Sequence, residues 1–237
     1  MSDVNTDTAK VGCTIQTKKY AKLIVFDMDS TLIDAETIDE LARAAGVVEQ
    51  VSEITNRAMC GELDYGKALM ERVALLKGLS LDAAIQAADA MPWMEGAHEL
   101  VGHVKKLGYK TAMISGGFTI SAERIGRELG MDYIVSNKLE VVDGVLTGNV
   151  GGPLTMQDGK AIAFVHIAKI EGVLPEDCIV IGDGANDICL FKKAGFSIAF
   201  NAKPILMEHA DVSIDGKYLQ KIIPLIDAIT QRSDCCN

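Results

Sequence analysis

The sequence predicts an α/β fold built on a doubly wound parallel sheet, with a small helical segment inserted after the first strand. Short, mostly β-branched apolar runs recur along the chain, and each is followed by a turn that contains Gly, Ser or Asp. Helical patterns alternate with these runs, as expected when helices cover both faces of a parallel sheet. One long stretch, residues 37–90, has helical periodicity and no strand signal.

The strand candidates are short apolar runs bounded by turn residues, which is typical of strands buried on both faces. The stronger ones are Leu23–Phe26 and residues 111–114, 178–181 and 197–199. Residues 134–135 and Val212–Ile214 are weaker candidates. Helical patterns outside the inserted stretch cover residues 96–107, 121–129, 160–171, 187–194 and 219–230.

The inserted stretch contains four amphipathic patterns, at residues 38–45, 47–60, 65–76 and 81–90. Because connections within a sheet layer are usually short, we interpret this stretch as a small helical cap that folds over the site. Residues 141–148, with Asp143-Gly144 at the centre, have the pattern of a β-hairpin. The predicted divisions are an N-terminal arm (1–20), a core domain (21–36 and 91–232), the cap (37–90) and a C-terminal tail (233–237).

Charge and composition restrict the classes of partner. The 237-residue chain carries a formal net charge of −10, which disfavours nucleic acid and anionic membrane surfaces because their phosphates require a basic face. A small anionic substrate stays possible, since a few local cations set the field inside a cleft. No segment approaches the roughly 18 consecutive apolar residues of a spanning helix, and the N-terminus lacks a signal-peptide centre. We therefore expect a cytoplasmic monomer or homodimer that binds neither nucleic acid nor membrane.

Two carboxylates stand at the end of the first predicted strand. Asp27 and Asp29 follow Leu23–Phe26 directly, and side chains at positions i and i+2 of an extended chain leave the same face. Like charges at this spacing repel one another and require a cation or a shared proton. The pair suits an aspartate nucleophile, a second carboxyl for proton transfer and a bound metal ion. The alternative is a strand end with ordinary turn-forming residues.

Three later segments place further polar groups at strand ends or helix starts. Ser115-Gly116-Gly117 offers a hydroxyl and backbone N–H groups before a helix, as a phosphate cradle does, although such a turn alone is a weak signal. Residues 182–187 supply two carboxylates and a carboxamide, the hard oxygen ligands that Mg²⁺ favours; a Ca²⁺ loop is the competing interpretation. Lys160 is either the counter-charge for these acids or a solvated surface lysine.

The four segments together resemble the ordered signature of the haloacid dehalogenase superfamily. They are Asp27-Met28-Asp29-Ser30-Thr31, Ser115-Gly116-Gly117, Lys160 and Gly182-Asp183-Gly184-Ala185-Asn186-Asp187. The resemblance extends from about Ala21 to Ile229 and is closest to the phosphoserine phosphatases, through Glu36, Arg72, Gly116-Gly117-Phe118 and Ala202-Lys203-Pro204. It implies a Rossmann-like core with a helical cap, and Mg²⁺-dependent hydrolysis of O-phospho-L-serine to L-serine and phosphate.

The resemblance also implies a role for each matched core residue. Asp27 attacks phosphorus to form an aspartyl-phosphate, and Asp29 protonates the leaving seryl oxygen and then activates water. Mg²⁺ is held by the Asp27 carboxylate, the Asp29 carbonyl and Asp183. Asp187 holds metal-bound water or orients Lys160. The implied substrate-binding residues of the core are Ser115, Gly116, Gly117, Lys160 and Asn186.

Substrate choice is implied to depend on residues of the cap. Glu36 pairs with the substrate ammonium, and Arg72 binds its carboxylate through two parallel hydrogen bonds. Met59 and Tyr65 form apolar walls that exclude water. Each residue also has a simpler interpretation. Glu36 could be an acid at a helix start and Arg72 could form a surface ion pair, while Met59 and Tyr65 could belong to the core of a helical bundle.

Three alternatives stay open on the sequence. The same chemistry could act on another small monoester, such as a sugar phosphate or a phospho-amino alcohol, although Glu36 with Arg72 favours an amino-acid substrate. The phosphoryl group could also pass to a different acceptor, such as homoserine. The third alternative is a non-enzymatic binding module that keeps the fold. Four intact residues argue against it, namely Asp27, Asp29, Lys160 and Asp183.

Overall fold

A seven-stranded sheet forms the centre of the protein in the computed structural model, which describes residues 23–234 (for 232–234 the backbone alone). The strands are β1 (Leu23–Phe26), β2 (Lys110–Phe118), β3 (Tyr133–Val142), β4 (Val145–Gly151), β5 (Ile179–Gly182), β6 (Phe196–Phe200) and β7 (Val212–Ile214). Their order across the sheet is β4-β3-β2-β1-β5-β6-β7, and every neighbouring pair is parallel except β3 with β4. The predicted α/β class is confirmed, while the predicted N-terminal arm lies outside the described residues.

Ten α-helices lie within the described part of the chain. They are α1 (Thr37–Ala45), α2 (Val48–Met59), α3 (Tyr65–Ala74), α4 (Leu81–Asp89), α5 (Ala97–Lys106), α6 (Thr119–Leu129), α7 (Gly159–Ile170), α8 (Ile188–Phe191), α9 (Pro204–Met207) and α10 (Ile223–Asp234). Short 3-10 turns cover Pro175–Asp177, Ala185–Asp187 and Leu219–Ile222. Among residues 23–234, no helix has both the length and the apolar character needed to cross a membrane.

The two faces of the sheet bury separate apolar clusters, as expected when helices cover both sides. Ile24 and Phe26 of β1 belong to the cluster under α5, α6 and α10, whereas Leu23 and Val25 belong to the cluster under α7 and α8. All four side chains are fully buried, and each contributes about 1.5–3 kcal/mol of burial free energy. The residue that follows β1, Asp27, is therefore anchored at the end of the buried middle strand of the sheet.

Two elements differ from the sequence-based prediction. Strand β2 continues through Ser115-Gly116-Gly117 to Phe118, because it pairs with β3 again at Phe118 after a shift of register. The predicted turn before α6 is therefore an irregular strand end. The helix predicted at residues 187–194 is reduced to α8, since a 3-10 turn precedes it, in which the Asp187 side chain accepts the Gly184 N–H at 3.3 Å. Helix α10 continues to Asp234, within the segment predicted as a tail.

The predicted β-hairpin is confirmed as β3–β4. Val142 pairs with Val145 across the turn, and the two central residues, Asp143 and Gly144, have φ angles of 50° and 77°. Positive φ at both positions is the type I′ geometry, which Asp-Gly favours because its twist matches that of the flanking strands.

The inserted helical segment is fastened to this hairpin by backbone hydrogen bonds. The Gly78 N–H donates to the Leu146 carbonyl at 2.8 Å, and the Leu146 N–H donates to the Leu79 carbonyl at 2.8 Å. The Leu81 N–H donates to the Gly144 carbonyl at 2.8 Å. Because the segment also shares an apolar cluster with the hairpin, the division of the chain at residues 37 and 90 stays a prediction.

Candidate active site

A cavity of about 760 Å³ opens at the carboxyl ends of β1, β2 and β5. These strands are neighbours in a parallel arrangement, so the residues that follow them meet at one edge of the sheet. The opposite wall comes from α2 and α3, which contribute Met59, Tyr65 and Arg72. The cavity therefore brings together residues that the sequence assigned to the core and to the cap.

Lys160 lies at the centre of the charged groups. Its ammonium is 2.8 Å from Asp27 Oδ2 and 2.7 Å from Asp187 Oδ1, and its side chain is 4% exposed. Burial opposes the charged form of this lysine, but Asp187 and Asp27 outweigh it and raise its pKa. The lysine stays protonated, and it is not the solvated surface residue that a single Lys usually is.

The carboxylate oxygens of Asp27, Asp183 and Asp187 lie within 4.8 Å of one another, and all three residues are buried. Burial, followed by repulsion from Asp27, raises the pKa of Asp183 to about 8 and that of Asp187 to about 7. Three buried acids with one ammonium leave excess negative charge, and carboxylates are ligands for hard divalent cations. The donor set fits the Mg²⁺ that the sequence implied.

Gly182 allows the Asp187 carboxylate to fold back against the end of β5. A Cβ at residue 182 would lie 2.5 Å from Asp187 Oδ2, closer than side-chain atoms can approach. The glycine at the end of this strand is therefore required by the packing of the acid five residues later. Asn186 also reaches the cluster, with Nδ2 at 3.5 Å from Asp27 Oδ2.

Asp29 is held apart from the three clustered acids by the first turn of α1. Its Oδ1 accepts the Thr37 hydroxyl at 2.5 Å and the Thr37 N–H at 3.3 Å. Burial, then repulsion from Glu36 and Asp27, raises its pKa well above the usual value for an aspartate. Asp29 is therefore suited to carry a proton, while the metal contact predicted for its carbonyl stays a prediction.

The cavity is lined by all four residues that were predicted to set substrate choice, which are Glu36, Met59, Tyr65 and Arg72. Glu36 accepts the Ser30 hydroxyl at 2.7 Å, and its pKa is raised, chiefly by burial. Arg72 donates its Nε to the Ala68 carbonyl at 3.1 Å, and within residues 23–231 no side chain forms an ion pair with its terminal nitrogens. Met59 is 70% exposed, so it stands at the cavity mouth.

Of the predicted phosphate cradle, Gly116 and Gly117 line the cavity, whereas Ser115 does not. The Ser115 side chain is fully buried, and its Oγ accepts the Gly117 N–H at 2.9 Å. In this structure the serine shapes the strand end, and its predicted contact with a phosphoryl group stays a prediction.

Two residues of the site received no role from the sequence. Lys203 lines the cavity, its N–H donates to the Asp183 carbonyl at 2.9 Å, and its charge acts on Glu36. Asn137 is buried in β3 and its Nδ2 donates to the Gly116 carbonyl at 3.1 Å. The Ala202-Lys203-Pro204 match was a signal for the lysine, while a single Asn within a strand pattern carried none.

Comparisons with known proteins point in one direction. The chain matches the model of the haloacid dehalogenase-like hydrolase family over residues 21–195. It is 48% identical to the phosphoserine phosphatase of Methanocaldococcus jannaschii, over 88% of this chain and 99% of that protein. A relative of the same name from Archaeoglobus fulgidus is also 48% identical, over 84% of this chain, and is longer, so that this chain spans 58% of it.

The fold is shared with solved structures of similar proteins. One is described as the "Phospho-Aspartyl Intermediate Analogue of Phosphoserine phosphatase" and is 48% identical, with a TM-score of 0.82 over 88% of this chain and 99% of that one. Another, described as a substrate-bound phosphoserine phosphatase complex, is 47% identical, with a TM-score of 0.82 over 88% and 98% of the two chains.

Proposed function

Because this chain belongs to the haloacid dehalogenase-like hydrolase family, we propose that it is a Mg²⁺-dependent phosphoserine phosphatase. It hydrolyses O-phospho-L-serine to L-serine and phosphate. The family and the relatives indicate a phosphoric monoester hydrolase. The observation that carries the proposal is the buried contact between Lys160 and Asp27, beside Asp183 and Asp187. The cavity next to this cluster is also lined by Glu36, which can pair with an ammonium group, and by Arg72, which can bind a carboxylate.

Asp27 is the nucleophile in this proposal. Its Oδ1 accepts the Met28 N–H at 2.8 Å and its Oδ2 contacts Lys160 at 2.8 Å, so the carboxylate is held still at the end of β1. One of these oxygens attacks phosphorus, and the serine oxygen leaves as the aspartyl-phosphate forms. Positioning and fixed charge supply most of the rate in such phosphoryl transfers.

Asp29 is the general acid and base. Its raised pKa favours the protonated carboxyl that the leaving serine oxygen needs. After it has given up the proton, the same carboxylate accepts one from the water that hydrolyses the aspartyl-phosphate. The Thr37 contacts keep the carboxyl oriented through both steps.

Asp27, Asp183 and Asp187 form the carboxylate set that would hold Mg²⁺, together with the Asp29 carbonyl. When bound, the ion would neutralise negative charge on the phosphoryl oxygens. Thr31 supports the set, since its hydroxyl donates to Asp183 Oδ1 at 3.3 Å.

Glu36 and Arg72 recognise the amino-acid part of the substrate. The half-buried Glu36 carboxylate pairs with the substrate ammonium, and the terminal nitrogens of Arg72 bind its carboxylate. We propose that the α1–α4 segment is the cap that carries these contacts over the core. Met59 and the Tyr65 ring exclude water from the bound ester.

Phosphate release from a substrate panel tests the proposal. With Mg²⁺, kcat/KM should be highest for phosphoserine, and an excess of chelator should remove the activity. Similar kcat/KM values on phosphoserine and simple sugar phosphates would reject the substrate assignment. Formation of a new phosphoester with added homoserine would indicate transfer, and no release from any ester would indicate a binding module.

Replacing Arg72 by Ala should raise KM for phosphoserine about 30-fold or more, because a desolvated carboxylate loses its charged partner. Phosphoethanolamine lacks that carboxylate, so its KM should change little. Steady-state kinetics on the two esters measure the difference. Arg57→Ala is the control, since Arg57 lies on α2 outside this cavity and pairs with Glu62 and Glu71. An equal rise of KM on both esters would contradict the assignment.

Mg²⁺ should stabilise the protein more at about pH 8 than at about pH 6. Without a cation, folded Asp183 and Asp187 keep their protons up to pKa values of about 8 and about 7. Aspartates in the unfolded chain lose their protons near pH 4. Between about pH 4 and pH 8 the folded protein therefore binds more protons than the unfolded chain, and the metal-free fold loses stability as pH rises through this range. Mg²⁺ binds only the deprotonated carboxylates, so its affinity rises over the same range.

The difference in Tm between Mg²⁺ and chelator, at both pH values, measures this effect. Mg²⁺ at 100 times its Kd stabilises by about 2.7 kcal/mol, or about 5–11 °C for a chain of this length. Asp183→Asn should reduce the shift. A shift that is equal at the two pH values would show that these carboxyls are not the ligands.

A further inference from the structure

The Tyr65 hydroxyl lies directly over Gly116 at the end of β2. A Cβ at Gly116 would be 2.6 Å from the Tyr65 hydroxyl oxygen but 3.8 Å from the ring carbon that bears it. The hydroxyl itself, and not the ring, therefore occupies the space above this glycine. Both residues line the cavity.

The ring and the hydroxyl of Tyr65 have different surroundings. The ring packs against the apolar cluster that α1–α4 share with the hairpin. The hydroxyl has no hydrogen-bond partner among residues 23–234, although Thr31, Thr37 and Ser30 at this site each donate to a carboxylate. A tyrosine hydroxyl that a ligand shields from water needs a partner on that ligand.

The charges near the hydroxyl identify the part of the ligand that it meets. Lys160, Asp27, Arg72 and Asp187 all act electrostatically on the Tyr65 phenol. Burial, opposed by Lys160, raises the pKa of the phenol, so it remains a donor at neutral pH. A donor next to Gly116 and within the field of Asp27 and Lys160 faces the position where phosphorus must lie for Asp27 to attack it.

We propose that the Tyr65 hydroxyl donates a hydrogen bond to an oxygen of the transferring phosphoryl group, beside the Gly116 N–H. This role rests on the proposed function and goes beyond the apolar wall that the sequence implied, since it makes Tyr65 a direct contact of the reacting group. The rigid ring, held by the apolar cluster, places the donor at little cost in side-chain entropy.

Tyr65→Phe tests the role because it removes the donor and keeps the ring. We expect kcat/KM for phosphoserine to fall about 10- to 100-fold, the range for a lost hydrogen bond to a charged group. The inhibition constant of inorganic phosphate, which has neither ammonium nor carboxylate, should rise as well. Tyr133→Phe is the matched control, because its hydroxyl bonds Glu171 away from the cavity and its loss should leave both constants unchanged.

Each outcome separates this inference from the proposed function. If the wild-type protein does not hydrolyse phosphoserine, the proposed function fails. If it does, and Tyr65→Phe has wild-type kcat/KM and phosphate inhibition, the hydroxyl role is wrong and Tyr65 is a wall only. A loss on phosphoserine with unchanged phosphate inhibition would assign the hydroxyl to the amino-acid part of the substrate and overturn the phosphoryl contact.

A stability measurement tests the placement of the hydroxyl independently of activity. In the wild-type background, the methyl group of Gly116→Ala collides with the hydroxyl, whereas in the Tyr65→Phe background it meets only ring carbon at an ordinary distance. We therefore expect Gly116→Ala to lower the Tm of the wild-type protein, and to lower the Tm of the Tyr65→Phe variant by a smaller amount. Equal decreases in the two backgrounds would place the hydroxyl elsewhere.

Discussion

Asp27→Asn should abolish phosphate release from phosphoserine, with kcat reduced by about 10⁴-fold or more. The carboxamide has nearly the shape of the carboxylate but lacks the charged oxygen that attacks phosphorus. The substitution removes one of the two ion pairs of Lys160, which keeps Asp187, but it also removes the repulsion that Asp27 exerts on Asp183 and Asp187. Because the two effects oppose each other, Tm in the presence of chelator should change little. Loss of activity with retained stability therefore distinguishes a missing nucleophile from an unfolded protein.

Single-turnover kinetics and mass measurement of quenched protein complete this test. The wild-type protein should carry a phosphoryl group on Asp27 during turnover, and the variant should carry none. Asp34→Asn is the control: Asp34 is exposed and does not line the cavity, so this variant should keep full activity. Substantial activity in Asp27→Asn would make the nucleophile assignment wrong.

Lys160→Met should have the second largest effect, and it should affect both activity and stability. The substitution keeps much of the side-chain length but leaves Asp27 and Asp187 buried without their shared cation. Breaking a buried ion pair on one side costs about 3–5 kcal/mol. We expect a lower Tm in chelator, with a larger loss at about pH 8 than at about pH 5, because protonation of Asp187 and Asp183 relieves the repulsion.

Activity should fall about 10²- to 10³-fold in Lys160→Met, the range for removing one fixed charge that acts on a developing anion. Steady-state kinetics at saturating Mg²⁺ measure this, and thermal unfolding measures the stability. Lys169→Met, on the exposed face of the same helix, is the control. If Tm fell while kcat stayed at the wild-type value, Lys160 would be a structural ion-pair partner only.

Local pattern was sufficient for the sheet and for the ends of its strands. Leu23–Phe26 was predicted as a buried strand and is β1 at the centre of the sheet. Once β1 and β5 are identified as parallel strands, Asp27 and Asp183 are expected at one edge, and their carboxylates do meet there. The Asp-Gly turn likewise predicted its hairpin, because its preferred φ angles are a property of the dipeptide.

The local sequence pattern did not predict features that depend on hydrogen bonds formed when the chain folds. The end of β2 was predicted as a turn, but pairing of Phe118 with Asn137 extends the strand past the glycines. The local sequence also did not indicate that the Ser115 hydroxyl accepts the Gly117 N–H inside the protein, while its contact with a phosphoryl group stays a prediction. Each outcome depends on a partner that the local sequence does not identify.

The sequence by itself determined the fold class, the family and the chemical groups available for phosphoryl transfer, since these depend on residue type, spacing and order along the chain. Only the tertiary structure decided that Asp27 and Asp187 pair with Lys160 and that Asp29 accepts hydrogen bonds from Thr37 instead. It also decided that the hydroxyl of Tyr65, and not its ring, faces Gly116. Interatomic distances and burial arise from the packing of separate elements, and these two quantities set the pKa values and the contacts on which the chemistry depends.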